Sequence, residues 1–338
     1  GGSELAVTAA NADYVYLGTD DGIYRSTNGG ISFTQMGAAP TNMMSFGVSD
    51  TDPDRILYGG LDSYVSVNGG ASFFQVSDWT GVPGASDYIH ADLREVESFN
   101  GILYAATDGY LARSSDGGIN WTLLSDGCAI REFYAIGGTP LDVAKIAGGS
   151  QDNGTSVYTS GTWYEWMGAD GMRCSWSRSY HDIVFGTWQF GGLHISRDGG
   201  NNRNYIVPDD QSGNWITPFR LSPHHPNTIW VGYDTIYRST DNGSNWEVMA
   251  DLSNFGNADN LEISEREPDR MFVSDFQYLL RSKDGGTNFD LLNSGSGLPA
   301  LYLSDIALDT ERPEHLAVSY RTYNASNKVF VSNDTGNT

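Results

Sequence analysis

Lysine is nearly missing from this 338-residue sequence: only Lys145, Lys283 and Lys328 are present, and 42 acidic against 19 basic residues leave a net charge of -23. A field of that sign repels phosphate backbones and anionic headgroups, which argues against nucleic acid and anionic membrane surfaces as partners. No apolar run approaches the roughly 18 residues of a membrane-spanning helix. Two cysteines, Cys128 and Cys174, are too few for a disulfide scaffold. An HExxH zinc motif, paired CxxC motifs, a nucleophile elbow and a phosphate-binding loop are all missing, which removes the common metal, acyl-transfer and nucleotide chemistries. Helical periodicity is missing as well.

Glycine (41 residues) and aromatics (12%) are plentiful, the composition of many short strands joined by tight turns. One phrase recurs along the chain: YRSTNGGISF from Tyr24, YVSVNGGASF from Tyr64, LARSSDGGINW from Leu111, HISRDGGNNR from His194, YRSTDNGSNW from Tyr237, LRSKDGGTNF from Leu280 and FVSNDTGNT from Phe330. Its pattern is Ser-x-Asp/Asn-x-Gly-x-x-aromatic, with the acid or amide at Asn28, Asn68, Asp116, Asp198, Asp241, Asp284 and Asp334. The interval between Ser114 and Ser196 is double the others. It holds an eroded copy, VAKIAGGSQDNGTSVYTSGTWYEW, so eight repeats of roughly 42 residues result, a period of solenoids, propellers and arrays.

Within each repeat the residues alternate and are rich in β-branched and aromatic types. In TIWVGYDTIYRSTDNGSNWEVM, two strands flank a turn at Asp234, the box forms the next turn, and NWEVM begins a last strand. WITPFRLS, before the turn SPHHPN, supplies a fourth. Four short antiparallel strands per repeat describe a β-propeller blade. The expected fold is therefore all-β: one β-propeller of four-stranded antiparallel blades spanning 1–338, with eight blades, or seven and a stray repeat. The box is expected to be a folding device on the turn between third and outermost strands. There Asp or Asn accepts backbone N–H groups, Gly supplies a positive φ, and the aromatic buries between sheets.

Ser-x-Asp-x-Gly-x-Thr-Trp resembles the Asp-box, or bacterial neuraminidase repeat, of sialidases, sortilin-type receptors and xyloglucanase-type enzymes. Three longer stretches sharpen the resemblance: YIHADLREVESFNGILYAATDG, AGGSQDNGT followed by GADG, and WITPFRLSPHHPNTIWVGYDTIYRSTDNGSNW. They look like large secreted bacterial proteins that carry such repeats with a C-terminal sorting domain. One departure is Arg94, where that pattern reads His-x-Asp-x-His. The resemblance implies an extracellular, secreted or cell-surface protein with further domains in the same longer chain. The opening GGSELAV and the final box, which stops at Thr338 before its aromatic, agree with a fragment.

In a propeller the starts of the inner strands and the loops between second and third strands share one face, opposite the box turns, and a site is sought there. Four carboxylates in the family-like stretches are candidate catalytic residues: Asp92, Asp108, Asp152 and Asp170. Glycosidic cleavage needs a pair about 5–5.5 Å or roughly 6.5–9.5 Å apart. Asp152 and Asp170 could alternatively hold calcium through oxygen ligands, although Asp is also an ordinary turn residue. Inner strands carry Arg94, Arg131, Arg173 and Arg220, which suit a carboxylate or sulfate on the ligand, or else neutralise the neighbouring Asp side chains. Asn153, His90, Trp188 and Trp215 complete the candidate ligand surface, with Trp79 as a further ring. Cys128 and Cys174 open inner strands of adjacent repeats, where both a disulfide and two free thiols fit. The expected function is recognition of polysaccharide or extracellular protein, with a xyloglucanase-like or sialidase-like glycoside hydrolase as the alternative.

Overall fold

A computed structural model describes residues 2–338 apart from 83, 125–130, 293–296, 300 and 324–326. The chain is all-β, a β-propeller of eight successive antiparallel sheets. Residues 3–37, 45–75, 93–123, 133–167, 171–205, 219–251 and 260–291 form four-stranded blades. Residues 303–332 form a three-stranded sheet. Strand order within each sheet follows chain order, so every connection is a hairpin. The blades pack into two compact units, three blades in 1–130 and five in 131–338. Among the described residues only two short 3-10 turns interrupt the strands, and no helix is long and apolar enough to cross a membrane.

The alternation read from the sequence becomes burial. In the sixth blade all four residues of Ile229–Gly232 are buried, because this second strand is covered on both faces by neighbouring sheets. It pairs with Thr235–Ser239 in a register that sets Ile229 opposite Ser239 and Gly232 opposite Ile236. Phe185, Ile195, Phe219, Val231 and Tyr237 form one of the inter-blade cores, with Trp246 packed against it. Each such core removes apolar surface from water at about 25 cal/mol per Å² and provides the main cohesion between blades.

The repeated box is a self-contained turn. In the sixth blade Ser239 Oγ donates to Asp241 Oδ1 (2.8 Å) and accepts from the N–H groups of Asp241 (3.3 Å) and Gly243 (2.8 Å). Asp241 in turn accepts from Asn245 N–H (2.8 Å) and Nδ2 (2.7 Å). These donors hold its carboxyl down at about 2, the Asn245 side chain being the largest cause. Gly243 has φ of 81°, which a side chain would strain. The same bonds recur at Ser26–Asn28, Ser114–Asp116, Ser196–Asp198 and Ser282–Asp284. Ser239→Ala would leave the buried Gly243 N–H without an acceptor. It is expected to lower unfolding free energy by about 1–2 kcal/mol, read from chemical denaturation midpoints.

Two departures from the repeat have local causes. In the fourth blade the strands Thr155–Thr159 and Thr162–Met167 are joined by Ser160 and Gly161 alone, with φ of 53° and 83°. Such a two-residue hairpin turn matches the twist of its strands and replaces the box outright. The box aromatic also fails to bury in the first blade, where Phe33 is 40% exposed, whereas Trp121 of the third is 6% exposed. Trp121 packs against Leu57 and Val65 of the preceding blade in its unit.

Candidate functional site

Close packing of the fourth and fifth blades sets the position of the strand Gly171–Trp176. A Cβ on Gly137 would run into the Cys174 carbonyl, and one on Gly149 into the Met172 carbonyl. Glycine at these two places lets the strands approach, and the approach fixes Arg173 and Cys174 of the same strand. Cys174 is a free, buried thiol whose Sγ lies 3.9 Å from the Ala135 carbonyl, and burial pushes it up to about 12. Cys128, its proposed disulfide partner, lies outside the described residues.

The four arginines expected on inner strands meet different fates, and Arg131 lies just before its strand, Phe133–Gly138, rather than on it. In the first unit Arg94 forms a two-pronged pair with Asp108 (Nε to Oδ1 2.7 Å) and stands 3.8 Å from Asp92, so its charge is answered internally. His90 beside them bonds through Nδ1 to the Ala91 carbonyl (3.0 Å) and sets its ring edge-to-face with Tyr110. In the second unit Arg131 donates to Ser150 Oγ, the Asn153 carbonyl and Ser156 Oγ at 3.3, 3.1 and 2.8 Å. Arg220 forks onto Glu262 of the next blade. Arg173 has no such partner. Among the described residues no carboxylate lies within ion-pairing distance of its guanidinium, and its buried Nε has no acceptor. Burial, then the neighbouring charge of Arg220, lowers it to about 10, well below the usual guanidinium range.

The expected carboxylates are likewise dispersed. Asp92 and Asp108 flank Arg94 in the first unit. Asp152, with φ of 56°, donates its N–H to Asp170 Oδ1 (2.8 Å), and Asp170 takes Gln189 Oε1 on its own N–H (3.2 Å). Asn153 Nδ2 bonds the Gln151 carbonyl (3.2 Å). Among the described residues no three His, Cys, Asp or Glu side chains are grouped as metal ligands require. Trp188 is in contact with the His194 ring at 4.3 Å, and the Arg203 guanidinium lies over it at 5.1 Å. Trp215 remains 41% exposed, steadied by Nε1–H to Tyr134 Oη (3.2 Å) and by Phe190 edge-on.

Arg173 and Trp215 come together at a cavity of about 550 Å³ within residues 131–338. Its walls come from the starts of inner strands and from loops between second and third strands, the locations where the sequence placed a site. Asn214, Trp215 and Ile216 lead into the sixth blade, Asp259 and Asn260 open the seventh, and Tyr302 opens the eighth. Phe276, Arg321 and Tyr323 come from second-to-third strand loops. Phe276 and Tyr302 meet edge-to-face at 5.7 Å and are 49% and 57% exposed. Asp259 accepts from Asn214 Nδ2 at 2.6 Å through Oδ1, while its Oδ2 is buried with no donor. Burial, only partly offset by that bond, raises its carboxyl to about 6. A second cavity of about 310 Å³ lies beside the first, lined by Arg173, Cys174 and Arg220 among others.

Asp259, Phe276, Tyr302, Arg321 and Tyr323 were not singled out from sequence. A signal for Asp259 was present: Ala258-Asp259-Asn260 stands at the start of its blade as Ala91-Asp92-Leu93 does at the start of the third. The aromatic residues carried none, since rings in loops and rings in cores read alike in one sequence.

The arrangement of the sheets defines a class, the β-propellers. No protein-family model and no curated protein matches the sequence. Among solved structures the chain is similar to a GH74 enzyme from Niastella koreensis, at 14% identity over 98% of this chain and 70% of that one, with a TM-score of 0.33. It is also similar to YCF48 from Cyanidioschyzon merolae (12% identity, 86% and 94% covered, TM-score 0.44). The GH74 xyloglucanase from Xanthomonas campestris gives 15% identity, 98% and 66% coverage and a TM-score of 0.35. At these identities and TM-scores the likeness carries no argument about function.

Proposed function

We propose that this protein is an extracellular recognition module that binds polysaccharide through the cavity in residues 131–338, and that it acts without catalysis. The observation that carries the reading is the ring of exposed aromatics on one cavity: Trp215, Phe276, Tyr302 and Tyr323. A volume of about 550 Å³ falls in the range of ligand sites. Flat rings offered to solvent beside a few buried polar atoms suit a ligand with apolar faces and polar edges, as sugar rings have. Glycan-array screening followed by calorimetry tests it. Trp215→Ala and Tyr302→Ala are each expected to weaken the selected glycan by about tenfold, with unchanged circular dichroism. Binding that survives both substitutions undiminished would move the site elsewhere.

The hydrolase alternative gains one specific support, a carboxyl in the cavity held near neutrality, since a glycosidase acid needs a raised pKa. It calls for a second carboxylate across the cavity from Asp259. Release of reducing ends from the bound glycan by wild type, lost in Asp259→Asn, would establish catalysis in place of recognition.

A further inference from the structure

Two groups on the cavity wall are held at a cost to folding and are left unused by the protein itself. Among the described residues no carboxylate lies within pairing distance of the Arg173 guanidinium, and its buried Nε has no acceptor. Nearby Arg220 adds like charge, although it is itself forked onto Glu262, and Glu262 and Asp305 attract Arg173 more weakly from beyond pairing distance. Asp259 presents a buried Oδ2 with no donor, its other oxygen being fixed by Asn214. The two side chains line one cavity, yet neither neutralises the other. An unsatisfied buried polar atom is costly to folding, more so when charged, so each is most simply accounted for by a group that arrives with a ligand. Arg173 calls for an acceptor, best a planar anion that takes two N–H bonds. Asp259 calls for a donor.

We infer that the cavity selects an acidic sugar, a uronate whose carboxylate lies on the Arg173 guanidinium and whose hydroxyl donates to Asp259 Oδ2. This rests on the reading of the cavity as a glycan site and narrows it to one class. A uronate joins the three required features in one small unit: a carboxylate for Arg173, hydroxyl donors for Asp259 and a ring face for Trp215 or Tyr302. A peptide ending in a free carboxylate satisfies the first but gives the aromatic rings no regular face to stack on. Specificity then resides in polar atoms that are costly to leave unpaired, the arrangement that discriminates most sharply against a ligand lacking the matching group.

The test uses the full chain with a galacturonate trimer and its methyl ester, which differ only in the carboxylate. By calorimetry the acid is expected to bind at least about tenfold more tightly than the ester. In Arg173→Met that preference is expected to collapse to roughly equal affinities, whereas in Asp259→Asn both ligands weaken by about fivefold and the preference remains. A second readout needs no variant: the Nε–H resonance of Arg173, assigned by its loss in Arg173→Met, is expected to shift on adding the acid and to stay in place with the ester. Equal binding of acid and ester by wild type would overturn the acidic-sugar inference while leaving glycan recognition intact. No binding of either sugar, with the Arg173 resonance unmoved, would overturn both. A shift of that resonance by a peptide with a free C-terminus, and by no uronate, would replace the sugar with a peptide.

Discussion

Asp259→Asn is expected to make the protein more stable at neutral pH, by about 2 kcal/mol, and to lose that advantage as pH falls. The carboxyl has its folded-state pKa raised to about 6, with burial the main cause and the Asp275 charge a further one. A raised carboxyl binds its proton more tightly in the folded state, so wild-type stability is unpenalised below the unfolded pKa near 3.8 and declines as pH rises toward 6. Above 6 the full cost of the buried charge is present. Asparagine keeps an oxygen for Asn214 Nδ2 and removes the charge. Unfolding of wild type and variant compared across about pH 4 to 8 should therefore give curves that converge at the acid end and separate through the window below 6. A variant that is weaker than wild type at every pH would show that Asp259 serves the fold and not a ligand. Arg173→Met is expected to stabilise in the same sense, because it relieves a buried charge and its repulsion from Arg220, but without pH dependence in this range.

Trp176→Ala should have the opposite and larger effect. The indole is fully buried at the end of Gly171–Trp176, the strand that carries Arg173, and belongs to the core formed with Val157, Trp166 and Val184. Lys145 lies over its ring at 4.8 Å. Truncation opens a cavity between blades that pack too closely to collapse around it, and a loss of about 3–5 kcal/mol is expected in denaturant titrations. The uronate preference should fall with it if the variant remains folded, since Arg173 would lose the rigid strand beneath it. A loss below about 1 kcal/mol would mean that the blades repack freely, contrary to the backbone contacts at Gly137 and Gly149.

Much of this architecture was legible in the sequence because blades repeat a local grammar. A box such as Ser239-Asp241-Gly243 makes all its bonds within a few residues, and strand alternation reports burial directly. Those signals located eight sheets, the hairpin turns and the face on which the cavity opens. What only the tertiary structure decided was the pairing of charges. Arg94, Arg173 and Arg220 occupy comparable places on inner strands, and nothing in the sequence ranks them. Arg94 closes on Asp108 across its own hairpin, fourteen residues away. Arg220 reaches to the next blade and meets Glu262, whereas Arg173 feels the like charge of Arg220 more strongly than the attraction of Glu262 and Asp305. For Arg173 and Arg220 the outcome depends on what the adjoining blade sets against the guanidinium, about one repeat further along the chain, where a single sequence holds no record of contact. Trp188 is contacted by His194 and Arg203 of its own blade, whereas Trp215 is left open to solvent, a difference the sequence does not show. The sequence by itself determined the blades and the face; side-chain contacts within and between blades determined which of the arginines and rings on that face remain open to a ligand.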